Sequence, residues 1–164
     1  MHNDSINHSQ DITGKAAAEK PAGTVQLFRS GRFHFGVPAN EVTTITEWRE
    51  PTPLPHAPES VLGVVSIQGR MLTVLNPALL AETETAFHES NRHIIALGGD
   101  EQLALAVSEI DELIEHETSP NTVGTKERFV LEVLQRAGVE VRILNVAELF
   151  SAALQGRERR RRRF

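Results

Sequence analysis

Pro53-Leu54-Pro55-His56-Ala57-Pro58-Glu59-Ser60-Val61-Leu62-Gly63-Val64-Val65-Ser66-Ile67-Gln68-Gly69-Arg70-Met71-Leu72-Thr73-Val74-Leu75-Asn76 is the stretch that decides the fold. Pro53, Pro55 and Pro58 stiffen a loop by fixing φ. An apolar strand follows, turns at Gly69, and returns through a second strand to Asn76. The second part of the pattern then recurs. Gly69, Val74, Leu75, Asn76, Ala78 and Leu80 align without a gap with Gly138, Ile143, Leu144, Asn145, Ala147 and Leu149, 69 positions later. Gly31, Glu41 and Val42 match Gly99, Glu109 and Ile110 at an offset of 68, so one inserted residue reconciles the two alignments. A chain built twice from one unit suits the display of surfaces better than a single buried catalytic pocket.

The remaining segments fit a duplicated β unit. Val25 to Arg29 and Arg32 to Pro38 read as a hairpin around Ser30-Gly31, with Phe33, Phe35 and Val37 on one face. Its counterpart pairs His93 to Leu97 with Gln102 to Val107 across Gly98-Gly99-Asp100. Val139, Val141 and Ile143 alternate with Glu140 and Arg142, as a half-buried strand requires. Asn76-Pro77 starts a helix with a capping side chain and a proline at the first helical position. Asn145 to Glu148 has capping-box spacing, and Val146, Leu149, Phe150 and Leu154 then repeat at helical spacing. The acidic run Glu109, Asp111, Glu112, Glu115 and Glu117 reads as a solvated face with Ile110, Leu113 and Ile114 inward. The pattern predicts an all-β protein of two five-stranded SH3-like β-barrels with short capping helices. Five strands alone bury little, so the two units are expected to share an apolar interface.

Composition limits what such a chain can do. It has 164 residues, enough for one domain or two small subdomains, and 40% are apolar while 5% are aromatic. Aliphatic side chains must therefore fill the core. Cysteine is absent, which excludes disulfides and zinc–thiolate sites. Residues 1–22 read as a disordered leader, 23–155 as the folded domain with its halves meeting near 82–92, and 156–164 as a basic disordered tail. Ala81 to Asn91 and Ser119 to Lys126 read as connecting segments. No run approaches the roughly 18 apolar residues of a membrane span, so a cytoplasmic location is expected.

The formal net charge of -5 hides an asymmetry. Arg157, Arg159, Arg160, Arg161, Arg162 and Arg163, with Glu158, give residues 157–164 a charge of +5, leaving the body near -10. An acidic body does not suit nonspecific nucleic-acid binding. Only the arginine tail offers a polyanion contact: it could fold back on the acidic run, meet anionic lipid or touch nucleic acid, or simply remain solvated.

No constellation proposes a reaction. Ser66, His56 and nearby carboxylates lack a nucleophile elbow, and no glycine loop cradles phosphate. The seven histidines show no metal-ligand spacing, although His34 and His93 could approach each other across the halves. No catalytic, cofactor or metal residue is assigned. Trp48, the single tryptophan, is either a partly buried anchor or, beside the proline loop, a binding hot spot.

Leu54-Pro55-His56-Ala57-Pro58, Val61 to Gly69 and Val74-Leu75-Asn76 together resemble the signature of the CheW family of chemotaxis coupling proteins. Phe35-Gly36-Val37 with Glu41-Val42 resembles the family's second strand and its continuation, and the likeness runs over about residues 24 to 154. The resemblance implies two five-stranded SH3-like barrels with a groove between them. It also implies a non-enzymatic adaptor joining the cytoplasmic tips of methyl-accepting chemoreceptors to the regulatory domain of a CheA-type histidine kinase. Such an adaptor would sit at the inner face of the membrane through receptor complexes. By resemblance, Val42, Gly63, Gln68 and Gly69 belong to the protein-interaction surface. Core packing is the plainer role for Val42 and Gly63, and a solvated turn for Gln68.

The chain departs from the family at five positions. Gln68 replaces an arginine, Thr73 a proline, Asn76 an aspartate, Ser108 an aspartate and Glu132 a glycine. Arginine forms charge-assisted forked bonds that glutamine cannot. An accessory coupler lacking part of the usual surface is therefore open beside the standard one.

Overall fold

The computed structural model describes residues 23–81, 90–117 and 127–154. The leader, the tail, most of the link near 82–92 and the Ser119–Lys126 segment lie outside them. Ten strands form two five-stranded antiparallel-rich sheets: β1 (Thr24–Ser30), β2 (Phe33–Pro38), β3 (Val42–Glu47), β4 (Val61–Ile67), β5 (Arg70–Leu75), β6 (His93–Leu97), β7 (Leu103–Val107), β8 (Glu109–Glu115), β9 (Val130–Arg136) and β10 (Val139–Leu144). The first sheet runs β8-β1-β2-β10-β9 and the second β3-β6-β7-β5-β4. The all-β class and the five strands per unit agree with the sequence. The turn of the first hairpin is Gly31-Arg32 rather than Ser30-Gly31, because Ser30 pairs with Phe33.

Each sheet draws on both halves of the sequence. The hairpin β1–β2 sits with β8, β9 and β10, whereas β6–β7 sits with β3, β4 and β5. The two arrangements are equivalent when β1 is matched to β6, β2 to β7, β3 to β8, β4 to β9 and β5 to β10. Register carries the repeat to the residue. Thr73 lies opposite Leu103 in one parallel ladder and Arg142 opposite Phe35 in the other. Arg142 follows Thr73 by 69 positions, and Leu103 follows Phe35 by 68. Bulges fall at matching places too: between Val42 and Thr44 on one side, and where β1 meets β8 on the other. Buried Gln26 fills the second of these, its amide donating to the carbonyls of Leu27 (2.9 Å) and Asp111 (2.7 Å).

Three apolar clusters result, and the shared one is the largest. Phe28, Phe35, Val37, Leu97, Leu103 and Leu105 from the two central hairpins meet Leu75, Leu144 and Leu149 in a layer between the sheets. Val65, Leu72, Val74, Ile94 and Ala104 fill the concave side of the second sheet, and Val25, Leu27, Val141 and Ile143 that of the first. Strand β7 is consequently buried at every residue, as a strand between two cores must be. The rings of Phe28 and Phe35 stack at 5.6 Å. Phe33 sits at the cluster's edge under the Arg142 guanidinium, 5.1 Å from the ring centroid.

Three local expectations need correction. Asn76 caps its helix (Pro77–Ala81): Ala78 N donates to Asn76 Oδ1 at 3.0 Å. Asn145 makes no such bond, so the expected capping box does not form; Val146–Glu148 is a 3-10 turn, and Glu148 pairs with Arg128 instead. In the helix over residues 149–154, Leu149 and Ala153 are buried, while Phe150 and Leu154 are exposed. Leu113 is exposed rather than inward, because the bulge in β8 sets Ile114 opposite Val25 on the inner face and leaves Leu113 opposite Gln26 on the other side of the sheet.

Candidate functional site

Gly63, Gln68 and Gly69 share the β4–β5 hairpin, and Val42 opens β3, the opposite end strand of the same sheet. Ile67 pairs with Arg70, leaving Gln68 (φ 52) and Gly69 (φ 78) as a two-residue turn. Two successive positive φ values match the twist of the flanking strands. Both residues are exposed, and a Cβ on Gly69 would meet nothing within 4 Å. The turn tip is therefore free surface held on a rigid hairpin.

Gly63 is a packing position. At φ 142 its Cβ would lie 2.2 Å from the carbonyl oxygen of Thr52 and 3.0 Å from Pro53 Cα. Thr52 and Val64 exchange backbone hydrogen bonds of 2.8 and 2.9 Å, which lay the proline loop along the outer edge of β4. That edge is thus occupied from within the chain. The loop itself leaves Pro53, Leu54, Pro55 and His56 exposed, Leu54 by 41%. Val42 lies in the central cluster at 7% exposure. Trp48 is half-buried against the second sheet's core, bonded through its backbone to Arg92 O.

The structure places the four residues on one sheet but groups only three of them. Three strands separate β3 from β4 in the ladder order. Side chains bridge the gap: Arg49, just beyond β3, donates from Nη1 to Ser66 O on β4 at 2.7 Å. The first sheet is bridged in the same manner. His116 Nε2 and Glu132 Oε2 are 2.8 Å apart, and Arg136 pairs with Glu112, so β8 and β9 are tied although no ladder joins them. No ladder joins the end strands, so neither sheet is the closed barrel expected; polar side chains span each gap, and an SH3-like description remains compatible. Sequence reading missed the roles of Arg49 and His116, and read Glu112 only as part of a solvated face. An isolated arginine or histidine after a strand carries no signal until the strand order is known.

The positions that depart from the family are distributed by role. Glu132 occupies the place of Gly63 in the other unit, at the matching bulge. Ser108 is buried and its Oγ accepts from Gly31 N at 3.1 Å, while Ser30 Oγ donates to Asn76 Oδ1 at 3.2 Å. Ser108 and Asn76 thus brace the first hairpin and the helix start. Gln68 alone of the five is wholly on the surface. Among the described residues, no three His, Asp or Glu side chains are grouped to hold a metal ion, and no helix is long and apolar enough to cross a membrane.

The architecture defines the class: an all-β domain of two equivalent five-stranded sheets around a shared core, with its singled-out residues on one hairpin and an end strand. The chain belongs to the CheW-like domain family, whose model matches residues 24–154. It is similar to the chemotaxis protein CheW of Rhizobium meliloti (strain 1021), with 41% identity over 49 residues. That alignment covers 30% of this chain and spans 32% of the relative's length. The fold is similar to that of the scaffolding protein TtCheW from Thermoanaerobacter tengcongensis. The TM-score is 0.65 at 18% identity, over 80% of this chain and 90% of that one.

Proposed function

We propose that this chain is a non-enzymatic cytoplasmic adaptor that couples chemoreceptors to a CheA-type histidine kinase. Family membership supports the chemosensory setting, and one geometric observation supports the adaptor role. The Gln68-Gly69 turn is fully presented while the neighbouring β4 edge is sealed by Thr52. Recognition at this hairpin would use turn and side-chain contacts, with no added strand. Such an adaptor acts by contacting one state of the kinase more favourably than another. Titration of the chain against its cognate kinase and receptor tests the reading. Saturable binding to both is expected, and binding to neither defeats it.

A second reading, an accessory member with an altered coupling surface, is favoured by Gln68 itself. Its side chain stands at the turn tip where the family's arginine would carry charge. Gln68→Arg is expected to raise affinity for kinase or receptor if the surface is retuned. Equal affinity for both partners would show that the glutamine is no deficit.

A further inference from the structure

Four arginines of the folded body are neutralised within the chain. Arg29 pairs with Glu109, Arg128 with Glu148, Arg136 with Glu112, and Arg142 with Glu127 and Glu140. Among the described residues, no carboxylate pairs with Arg49, Arg70 or Arg92. A short run of contacts across the gap between β3 and β4 links these three. Arg92 O accepts from Trp48 N, the next residue Arg49 donates to Ser66 O, and Arg70 pairs with Ile67 across the Gln68-Gly69 turn. Arg49 and Arg92 are exposed and Arg70 is half-buried, while Met71, opposite Ser66, is 56% exposed.

The fold does not require these cations. The first sheet repeats each backbone feature: His116 N donates to Gly23 O as Trp48 N does to Arg92 O, and Arg136 pairs with Val139 as Ile67 does with Arg70. Gly23, Glu117, Val139 and Glu140 there take the places of Arg92, Arg49, Arg70 and Met71. The unpaired positive charge thus belongs to one unit alone, the one that carries the presented turn. Taking the chain as the adaptor described above, we propose that Arg49, Arg70, Arg92 and Met71 form the docking surface, around Gln68-Gly69, for an acidic protein segment bearing an apolar side chain.

The chemistry of the surface selects this partner. Arg49 uses one of its five N–H donors on Ser66 O, which holds the guanidinium in place and leaves the others for a carboxylate. Arginine meets carboxylates in forked, charge-assisted pairs, and the flexible thioether of Met71 adapts to an apolar neighbour. Outside residues 157–164 the chain carries 21 acidic against 11 basic residues. A long polyanion such as a nucleic-acid duplex would lie against that repelling body. A short acidic segment meets only the local field, because salt screens charge beyond about 8 Å.

The test is titration of the full chain against its cognate kinase and, separately, its cognate receptor, at low and high salt. The triple variant Arg49→Gln, Arg70→Gln, Arg92→Gln is expected to bind one of the two about tenfold or more weakly, with a flatter salt dependence. Adding Gln68→Arg to the triple variant returns a cation to this turn and is expected to recover affinity. Adding Ala137→Arg instead places the same charge on the equivalent turn of the other unit and is expected to recover none. Binding of the parent chain to neither partner defeats the adaptor reading and this docking surface with it. Parent binding that the triple variant leaves unchanged overturns the docking surface alone. Recovery by both added arginines overturns it in favour of net charge, and recovery by neither in favour of a structural role for the three arginines. Tighter parent binding to a short DNA duplex, lost in the triple variant, overturns it in favour of nucleic acid.

Discussion

His116 and Glu132 tie the two end strands of the first sheet, with imidazole Nε2 2.8 Å from carboxylate Oε2. The carboxylate is nearly buried, its side chain 10% exposed, so loss of the histidine removes one of its partners where water replaces it poorly. His116→Ala is expected to cost about 1–3 kcal/mol in urea unfolding. In a double-mutant cycle, Glu132→Ala is expected to lose much of its effect once His116 is gone. Additive effects would show that the two ends of the sheet are not coupled through this pair.

Gly63 and Gly69 lie six residues apart on one hairpin and respond differently to alanine. At Gly63 a methyl group collides with the Thr52 carbonyl, itself fixed by two backbone bonds, at a φ that side chains avoid. Gly63→Ala is expected to destabilise by about 2–4 kcal/mol and to loosen the proline loop. At Gly69 the space is open and only the positive φ opposes the change, so Gly69→Ala costs about 1 kcal/mol. Chemical unfolding of the two variants separates these values. Any loss of partner binding in Gly69→Ala then reports on the surface, whereas a loss in Gly63→Ala mixes surface with packing.

Ala137 occupies in the second unit the turn position that Gln68 holds in the first, at φ 49 with Gly138 at φ 79. A methyl-bearing residue in this region is strained, and asparagine or glycine tolerates it better. Ala137→Asn is expected to stabilise the chain by about 1 kcal/mol. The exposed turn offers no compensating contact to lose. A lower unfolding midpoint in this variant would show that Ala137 packs in a way its exposure does not suggest.

The sequence repeat was legible because the core needs it. Leu103 and Leu105 carry the burial of Phe35 and Val37, and Val74-Leu75 that of Ile143-Leu144, at the same two offsets that align the strings. The exchange of hairpins between units was not legible, since pairing partners far apart leave no mark on local periodicity. Nor was the outward turn of Leu113, which depends on a bulge whose filler, Gln26, lies 87 positions earlier. The hairpin bearing Gly63, Gln68 and Gly69 was readable from its prolines, alternation and glycines. The burial of Val42 between two sheets follows only from their stacking.

Asn76 and Asn145 are matched in sequence and in one backbone bond: Asn76 N donates to Ser60 O at 2.8 Å and Asn145 N to Phe129 O at 2.7 Å. Their side chains differ in function. Asn76 Oδ1 accepts from both Ala78 N and Ser30 Oγ, and Ser30 is fully buried. Asn76→Ala therefore removes a helix cap and one partner of a buried hydroxyl, and is expected to cost about 1–2 kcal/mol. Asn76→Asp keeps an accepting oxygen for both donors and is expected to retain most of that stability. Asn145→Ala removes no cap bond and is expected to shift stability by no more than about 0.5 kcal/mol. Thermal unfolding of the three variants decides the matter. Equal losses at both asparagines would mean that the conserved backbone bond, and not the side-chain cap, holds each chain segment where strand gives way to helix.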